Sequence, residues 1–341
     1  MALQASGQIK YSEIIAEFGT PNSGGIGEYR LSENVGSLSN LPLDTGVPQS
    51  GQIKFSDFYS KKLNHVVDLY SIGNSTSRQN AKDRWNNGNV HIVGSTKTGK
   101  TQPPDTIDDR VIVNVNATIR SAKGTQTHCA LRTGTWDSNT TLEIEIGTSG
   151  KLYGSGGDGG AGGSANETPG TDGQTGSSAL GIQYPCTINN LGVIQSGYGG
   201  GGGGGGNTRT TGGGKKGGAT TNGSSGGGGG GGAGLPAGSA GGVSTPLSQG
   251  GGSAGSAGQA GSLSGQATGG AGGSEAGAGG DSSPVNNSAT KADNGTSPSG
   301  AAAGGTGGNN GYAIITNQGS APSLSGGGTL TGRTITSTNP T

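Results

Sequence analysis

The sequence predicts a mainly β protein in three parts. A short-helix N-terminal segment covers residues 1–62, a small antiparallel β-sandwich covers 63–153, and a polyglycine II helix bundle framed by short strands covers 154–341. Three observations carry this. Glycine accounts for 80 of 341 residues and crowds into the second half. Apolar and polar residues alternate between Val111 and Ile146. A short motif containing Gln-Ile-Lys occurs twice near the start.

The repeat reads Ser6-Gly-Gln-Ile-Lys-Tyr-Ser-Glu13 and returns as Ser50-Gly-Gln-Ile-Lys-Phe-Ser-Asp57. Each copy runs from an extended piece into a serine and an acid. That order predicts helix starts with Ser12 and Ser56 as N-caps and Glu13 and Asp57 favoured by the helix dipole. Ile14, Ile15 and Phe18 supply an apolar side, and Gly19 a stop. A weaker third cap lies at Leu31-Ser32-Glu33. Helices this short need a docking surface, on one another or on a partner.

In the middle segment Val111, Val113, Val115 and Ile119 alternate with Ile112, Asn114, Asn116 and Arg120. Leu142, Ile144 and Ile146 alternate with Glu143 and Glu145. Period two predicts strands with one buried and one wet face. His65–Tyr70 and Val90–Val93 are further strands, and an antiparallel sandwich is the economical arrangement.

In the glycine half, tracts occur at Gly199–Gly206 and Gly226–Gly232. Elsewhere glycine recurs every third residue, as at Gly252, Gly255, Gly258 and Gly261. Three residues per turn matches polyproline II geometry, in which backbone groups unused within one helix can bond the next. Ordering glycine costs about 1–2 kcal/mol per residue of backbone entropy, so only a dense backbone network offsets it. Disorder is the alternative that composition allows. Collagen is disfavoured, because the register breaks after a few triplets and the chain has 13 prolines. Apolar islands interrupt the tract. Ala179–Gln195 reads as two strands around an Asn-Asn turn, and Gly311–Thr316 and Arg333–Thr336 are similar.

Lys+Arg and Asp+Glu both number 20, so no global charge favours nucleic acid. No apolar run approaches the ~18 residues of a membrane helix, and the start lacks the pattern of a secretory signal. Cys129 and Cys186 are too few for a disulfide scaffold and are expected as reduced thiols, with their bonding left open.

The run Leu142-Glu-Ile-Glu-Ile-Gly-Thr-Ser-Gly-Lys-Leu-Tyr-Gly-Ser-Gly-Gly-Asp-Gly-Gly-Ala-Gly-Gly163 resembles the entry into the glycine-rich domain of tailed-phage tail-fibre tip adhesins. Ile188-Asn-Asn-Leu-Gly-Val-Ile-Gln-Ser-Gly-Tyr-Gly199, running into polyglycine, resembles it too. The N-terminal repeat is similar to the start of several phage structural proteins. The resemblance implies strands feeding polyglycine II helices, with inter-helix loops that bind host receptors. It also implies a tail fibre, tip-adhesin or baseplate-attached protein, assembled in the host cytoplasm and located in the virion tail. Residues 1–62 would then dock to other tail or baseplate proteins through Ile9, Tyr11, Ile53 and Phe55, and a homotrimer is one assembly open to a fibre. The sequence departs from the family in lacking clear aromatic-rich receptor loops.

Arg209, Lys215 and Lys216 form the basic cluster of the glycine half, suited either to anionic polysaccharide or to a solvated loop. Tyr198 and Tyr312 suit sugar stacking or, alternatively, covering the ends of the glycine layer. Gly94-Ser-Thr-Lys-Thr-Gly-Lys-Thr101 satisfies the phosphate-loop pattern. Gln102-Pro103-Pro104 follows at once and opposes the helix such a loop must open. His65, His91 and His128 lack metal-ligand spacing, and the Gly156–Asp158 fragment of a calcium-binding repeat does not recur. No cofactor or catalytic residue is expected. An ice-binding protein, a bacterial surface protein and a nucleotide hydrolase are the competing classes.

Overall fold

The computed structural model describes residues 3–21, 24–74, 76–93, 110–164, 169–203, 207–211, 220–224, 229, 231–232, 234–242 and 305–341. The chain is mainly β with few helices.

The N-terminal unit holds helix α1 (Tyr11–Phe18), one-turn 3-10 helices at Ile26–Tyr29 and Phe55–Phe58, and a hairpin of β1 (Ser32–Val35) and β2 (Leu38–Pro42). Both repeat copies start their helices alike, but the N-cap residues are Lys10 and Lys54, not Ser12 and Ser56. The acid explains the shift. Glu13 accepts a 2.7 Å hydrogen bond from the Lys10 N–H, and Asp57 accepts one of 2.7 Å from the Lys54 N–H. This is the acidic half of a capping box, and it needs no serine. Leu31-Ser32-Glu33 enters β1 instead of capping a helix. Phe18, Tyr29 and Phe58 form a buried triangle with ring centroids 5.7–5.8 Å apart. The Leu63 N–H donates to Glu17 at 2.8 Å, and the Asn64 N–H to the Leu43 carbonyl at 2.8 Å, fastening this unit to the next.

The rest is built on a three-sided parallel solenoid. Its first coil is β3 (Asn64–Leu69), β4 (Thr76–Ser77) and β5 (Gln79–Asn80). Helix α2 (Ala81–Asn86) follows, and then β6 (Val90–Ile92), antiparallel to β3. The second coil is β7 (Arg110–Val115), β8 (Thr118–Arg120) and β9 (Cys129–Arg132). The third is β10 (Thr141–Ile146), β11 (Lys151–Tyr153) and β12 (Ser178–Ile182). The fourth opens with β13 (Cys186–Asn190) and β14 (Val193–Gln195). An inserted hairpin of β15 (Asn207–Thr211) and β16 (Thr220–Ser224) precedes its third strand, β17 (Ile314–Thr316). The fifth is β18 (Ser323–Ser325), β19 (Thr329–Thr331) and β20 (Thr334–Ile335). Stacking yields three sheets, ordered β18-β13-β10-β7-β3-β6, β19-β14-β11-β8-β4 and β20-β17-β12-β9-β5.

The expected antiparallel sandwich is therefore wrong. Apart from β6, neighbours in these sheets are parallel, as in the in-register pairing of Arg110–Val115 with Thr141–Ile146. Parallel strands need a long crossover, and here each crossover is a whole coil. The sheets also take strands from both sides of residue 153.

Inward-facing side chains stack in rows. Val67, Val113, Ile144 and Ile188 are all buried, and Ile119, Leu152 and Ile194 form a second row. Trp85 of α2 joins this core and meets Trp136 at 5.4 Å. The face expected to be wet is dry at its start. Ile112 and Asn114 point outward yet are buried, because the β1–β2 hairpin covers them with Val35, Leu38 and Leu41. Asn114 is satisfied there by the Val35 carbonyl at 3.2 Å and the Ser37 hydroxyl at 3.1 Å.

Glycine segments leave and re-enter the solenoid at one corner. Residues 154–163 and 171–177 lie between β11 and β12; 197–203, 229–232, 235–242 and 305–311 lie between β14 and β17. Their described residues bond to one another through backbone at every third residue. Gly154, Gly157 and Gly160 donate to the carbonyls of Gln195, Tyr198 and Gly201, at 2.8 Å each. Gly305, Gly308 and Gly311 donate to Gly203, Gly200 and Gly197, again at 2.8 Å. At these contacts no side chain fits. A Cβ on Gly157 would lie 1.9 Å from the Gln174 carbonyl oxygen, and one on Gly203 1.9 Å from that of Ala161.

Gly157→Ala should therefore destabilise the protein by on the order of 3 kcal/mol, as overpacking against an immobile backbone does. Gly242→Ala, whose Cβ meets nothing within 4 Å, should leave Tm unchanged. Thermal melts of the two variants check this.

Candidate functional site

The six glycine segments have a near end on the solenoid and a far end away from it. Near-end bonds involve Gly154, Ser177, Gly197, Leu235 and Gly311; far-end bonds involve Ala161, Gly162, Thr171, Gly203, Gly242 and Gly305. Three connections therefore leave from the far end: 164–170, 204–228 and 243–304. The second contains the β15–β16 hairpin, in which Arg209 pairs with Asn222 in antiparallel register. Arg209 is thus at the far end, while Lys215 and Lys216 lie outside the described residues. So does the Gly94–Thr101 phosphate-loop pattern.

The two tyrosines singled out for ligand contact sit at the near end. Tyr198 is 2% exposed, which corrects its assignment as a surface contact, and burial pushes its phenol pKa up. Tyr312 is half-buried, with the Arg333 guanidinium 5.3 Å from its ring centroid. In the N-terminal unit, Ile9 is a core residue at 8% exposure, a correction to its reading as a docking contact. Tyr11 and Ile53 are partly buried against the same cluster. Phe55 is 43% exposed and lies edge-on to Tyr11, with centroids 6.2 Å apart.

Sequence reasoning missed the residues that tie the glycine segments to the second coil. Asp158 accepts hydrogen bonds from Lys123 Nζ and from the Ser239 N–H, both at 2.6 Å. One carboxylate thereby joins the corner loop of the second coil to two glycine segments. Gln126 donates to the Asn310 carbonyl, and the Asn310 side chain accepts from the Gly199 N–H at 2.9 Å. The available signal was Asp158 itself, an acid set among glycine pairs.

Among the described residues no group of three or more His, Cys, Asp or Glu could hold a metal. Cys129 and Cys186 are free thiols, and burial pushes each up to about 12. A cavity of about 250 Å³, with Ile182, Cys186, Thr316 and Pro322 in its lining, lies at the corner leading into β13 and β18, on the solenoid itself.

A family model for the phage tail fibre adhesin Gp38 matches residues 80–335, from the end of the first coil to the last strand. The chain belongs to the phage tail fibre adhesin Gp38 family. It is accordingly a virion tail protein of a structural adhesin family, not of an enzyme family. No curated protein and no solved structure matches the chain. The Gp38 match spans the solenoid from β5 onward together with every glycine segment, and begins after both copies of the N-terminal repeat.

Asp158 has its carboxyl held below the usual range. Burial alone would raise it, but the Lys123 hydrogen bond, the Ser239 N–H and the Lys123 charge together outweigh that. A depressed folded-state pKa contributes stability above the unfolded value of about 3.9 and loses it as pH falls through the folded value. Asp158→Asn should be less stable than the parent at pH 7, with the two converging as pH falls through the depressed folded-state value. Denaturant titrations across that range read the difference.

Proposed function

We propose that this Gp38-family chain is a tail-fibre tip adhesin that binds a host-surface receptor through the far-end connections of its glycine segments, without catalysis. The observation that carries the reading is the common origin of 164–170, 204–228 and 243–304 at one end of a bundle anchored at the other. Glycine backbones pressed together leave few side chains along the bundle, so recognition falls to the connections. Arg209, Lys215 and Lys216 would give the 204–228 connection its positive charge, suited to phosphate or carboxylate groups on the cell surface. The segments themselves we read as polyglycine II helices. A hydrogen bond at each third residue and close backbone contact are what that geometry requires.

The N-terminal unit we assign to docking on another tail or baseplate protein. It lies before the Gp38 match, it is fastened to the first coil, and it exposes Leu31 and Phe55 at 41% and 43%. Several copies per virion would raise avidity well above single-site affinity.

The test is adsorption. Phage carrying Arg209→Ala, Lys215→Ala and Lys216→Ala together should adsorb to the host at least tenfold more slowly, with particle yield and melting temperature unchanged. Replacement of residues 207–224 by a short glycine-serine link should reduce adsorption further. Unchanged adsorption for both variants would sink the far-end assignment.

A further inference from the structure

The N-terminal repeat keeps residues that folding does not require. Within each copy the fold uses the isoleucine, the aromatic ring, the acid and the glycine. Ile9 and Ile53 pack into the core of the unit. Tyr11 and Phe55 meet edge to face. Glu13 and Asp57 cap the Lys10 and Lys54 N–H groups. Gly7 and Gly51 take positive φ of 95° and 75°, where other residues are strained.

The remaining identities have no such use. Ser6 and Ser50, Gln8 and Gln52, Lys10 and Lys54, and Ser12 and Ser56 are identical in pairs and exposed in every case. Exposed positions of an internal repeat are free to diverge, because surface substitutions away from special features cost little stability. Both copies are also held rigidly, by different means. The Gly7 carbonyl accepts from the Tyr59 hydroxyl, whereas the Gly51 carbonyl accepts from the Arg30 guanidinium. One local surface, Ser-Gly-Gln-x-Lys-x-Ser, is thus displayed twice, with the two copies joined at the Tyr11–Phe55 contact.

We propose that the two copies engage two equivalent sites on adjacent identical subunits of an oligomeric tail protein. This rests on the N-terminal unit being the docking unit. Matching surfaces fit matching sites, and a symmetric oligomer supplies identical sites side by side. Each site would offer a carboxylate or carbonyl oxygen to the lysine and a backbone peptide to the glutamine. Two linked contacts bind far more tightly than one, by a factor on the order of 10²–10⁴, provided both engage together.

The experiment uses the full chain and tail particles from a phage deleted for it, with binding followed by co-sedimentation. Lys10→Glu and Lys54→Glu, both on exposed side chains, should each weaken binding about 100-fold and to a similar degree, with unchanged melting temperature. The double variant should abolish binding, and saturation should show at most one chain per two partner subunits. Binding that depends on one lysine only, or on neither, overturns the paired-site proposal while leaving the docking assignment standing. The same holds for saturation at one chain per subunit. A parent chain that fails to bind the particles at all overturns the docking assignment, and the proposal with it. Gln8→Ala and Gln52→Ala give a second, uncharged pair of variants for which the same equality is required.

Discussion

Everything distal to the solenoid depends on peptide backbones approaching so closely that no Cβ fits between them. A methyl group on Gly157, Gly160, Gly200 or Gly203 would stand about 2 Å from a neighbouring carbonyl oxygen. The same closeness lets the N–H of each of these four reach a carbonyl on a neighbouring segment at 2.8–2.9 Å. Two features of the sequence, the glycine content and the period of three, therefore have one cause. Some side chains admitted at the buried near end are small and hydrogen-bonded, as with Ser155, whose hydroxyl lies 2.9 Å from that of Ser177. The network must compensate for an entropy cost that hydrophobic burial cannot meet here, since glycine has no side chain to bury.

Such a network needs its register set from outside, and the solenoid supplies it. The outgoing segments 154–163 and 197–203 continue from β11 and β14, which are adjacent parallel strands of one sheet. The returning segments 171–177 and 305–311 feed β12 and β17, adjacent parallel strands of another. Parallel neighbours in a sheet start about 4.8 Å apart and in step. Segments launched from them begin at hydrogen-bonding distance, and Gly154 already donates to the Gln195 carbonyl of β14. Four residues further on, the clamp of Asp158 on Lys123 and Ser239 ties two of the segments to the corner loop of the second coil.

The strands were legible in the sequence and their arrangement was not. Alternation at Val111–Val115 and Leu142–Ile146 marks inward rows correctly, because period two is a local property. Parallel stacking is a non-local one. Register partners such as Asn64 and Arg110, Arg110 and Thr141, and Thr187 and Ser323 lie at very unequal separations, since insertions of different length interrupt the coils. No constant period survives to reveal a solenoid. Ile112 and Asn114 looked solvated because the hairpin that buries them lies some seventy residues earlier.

The constraint along the glycine segments differs from that on the strands. Along the glycine segments nearly every substitution meets backbone, so that part of the sequence is constrained by geometry alone. On the polyglycine II geometry proposed above, a segment such as 154–163 holds its far end about 30 Å from the solenoid, at about 3.1 Å per residue. A change of loop out there leaves the Asp158 clamp, the inward rows and the twin Gln-Ile-Lys surfaces untouched. Under the proposed function, recognition and attachment then fall on separate parts of one chain.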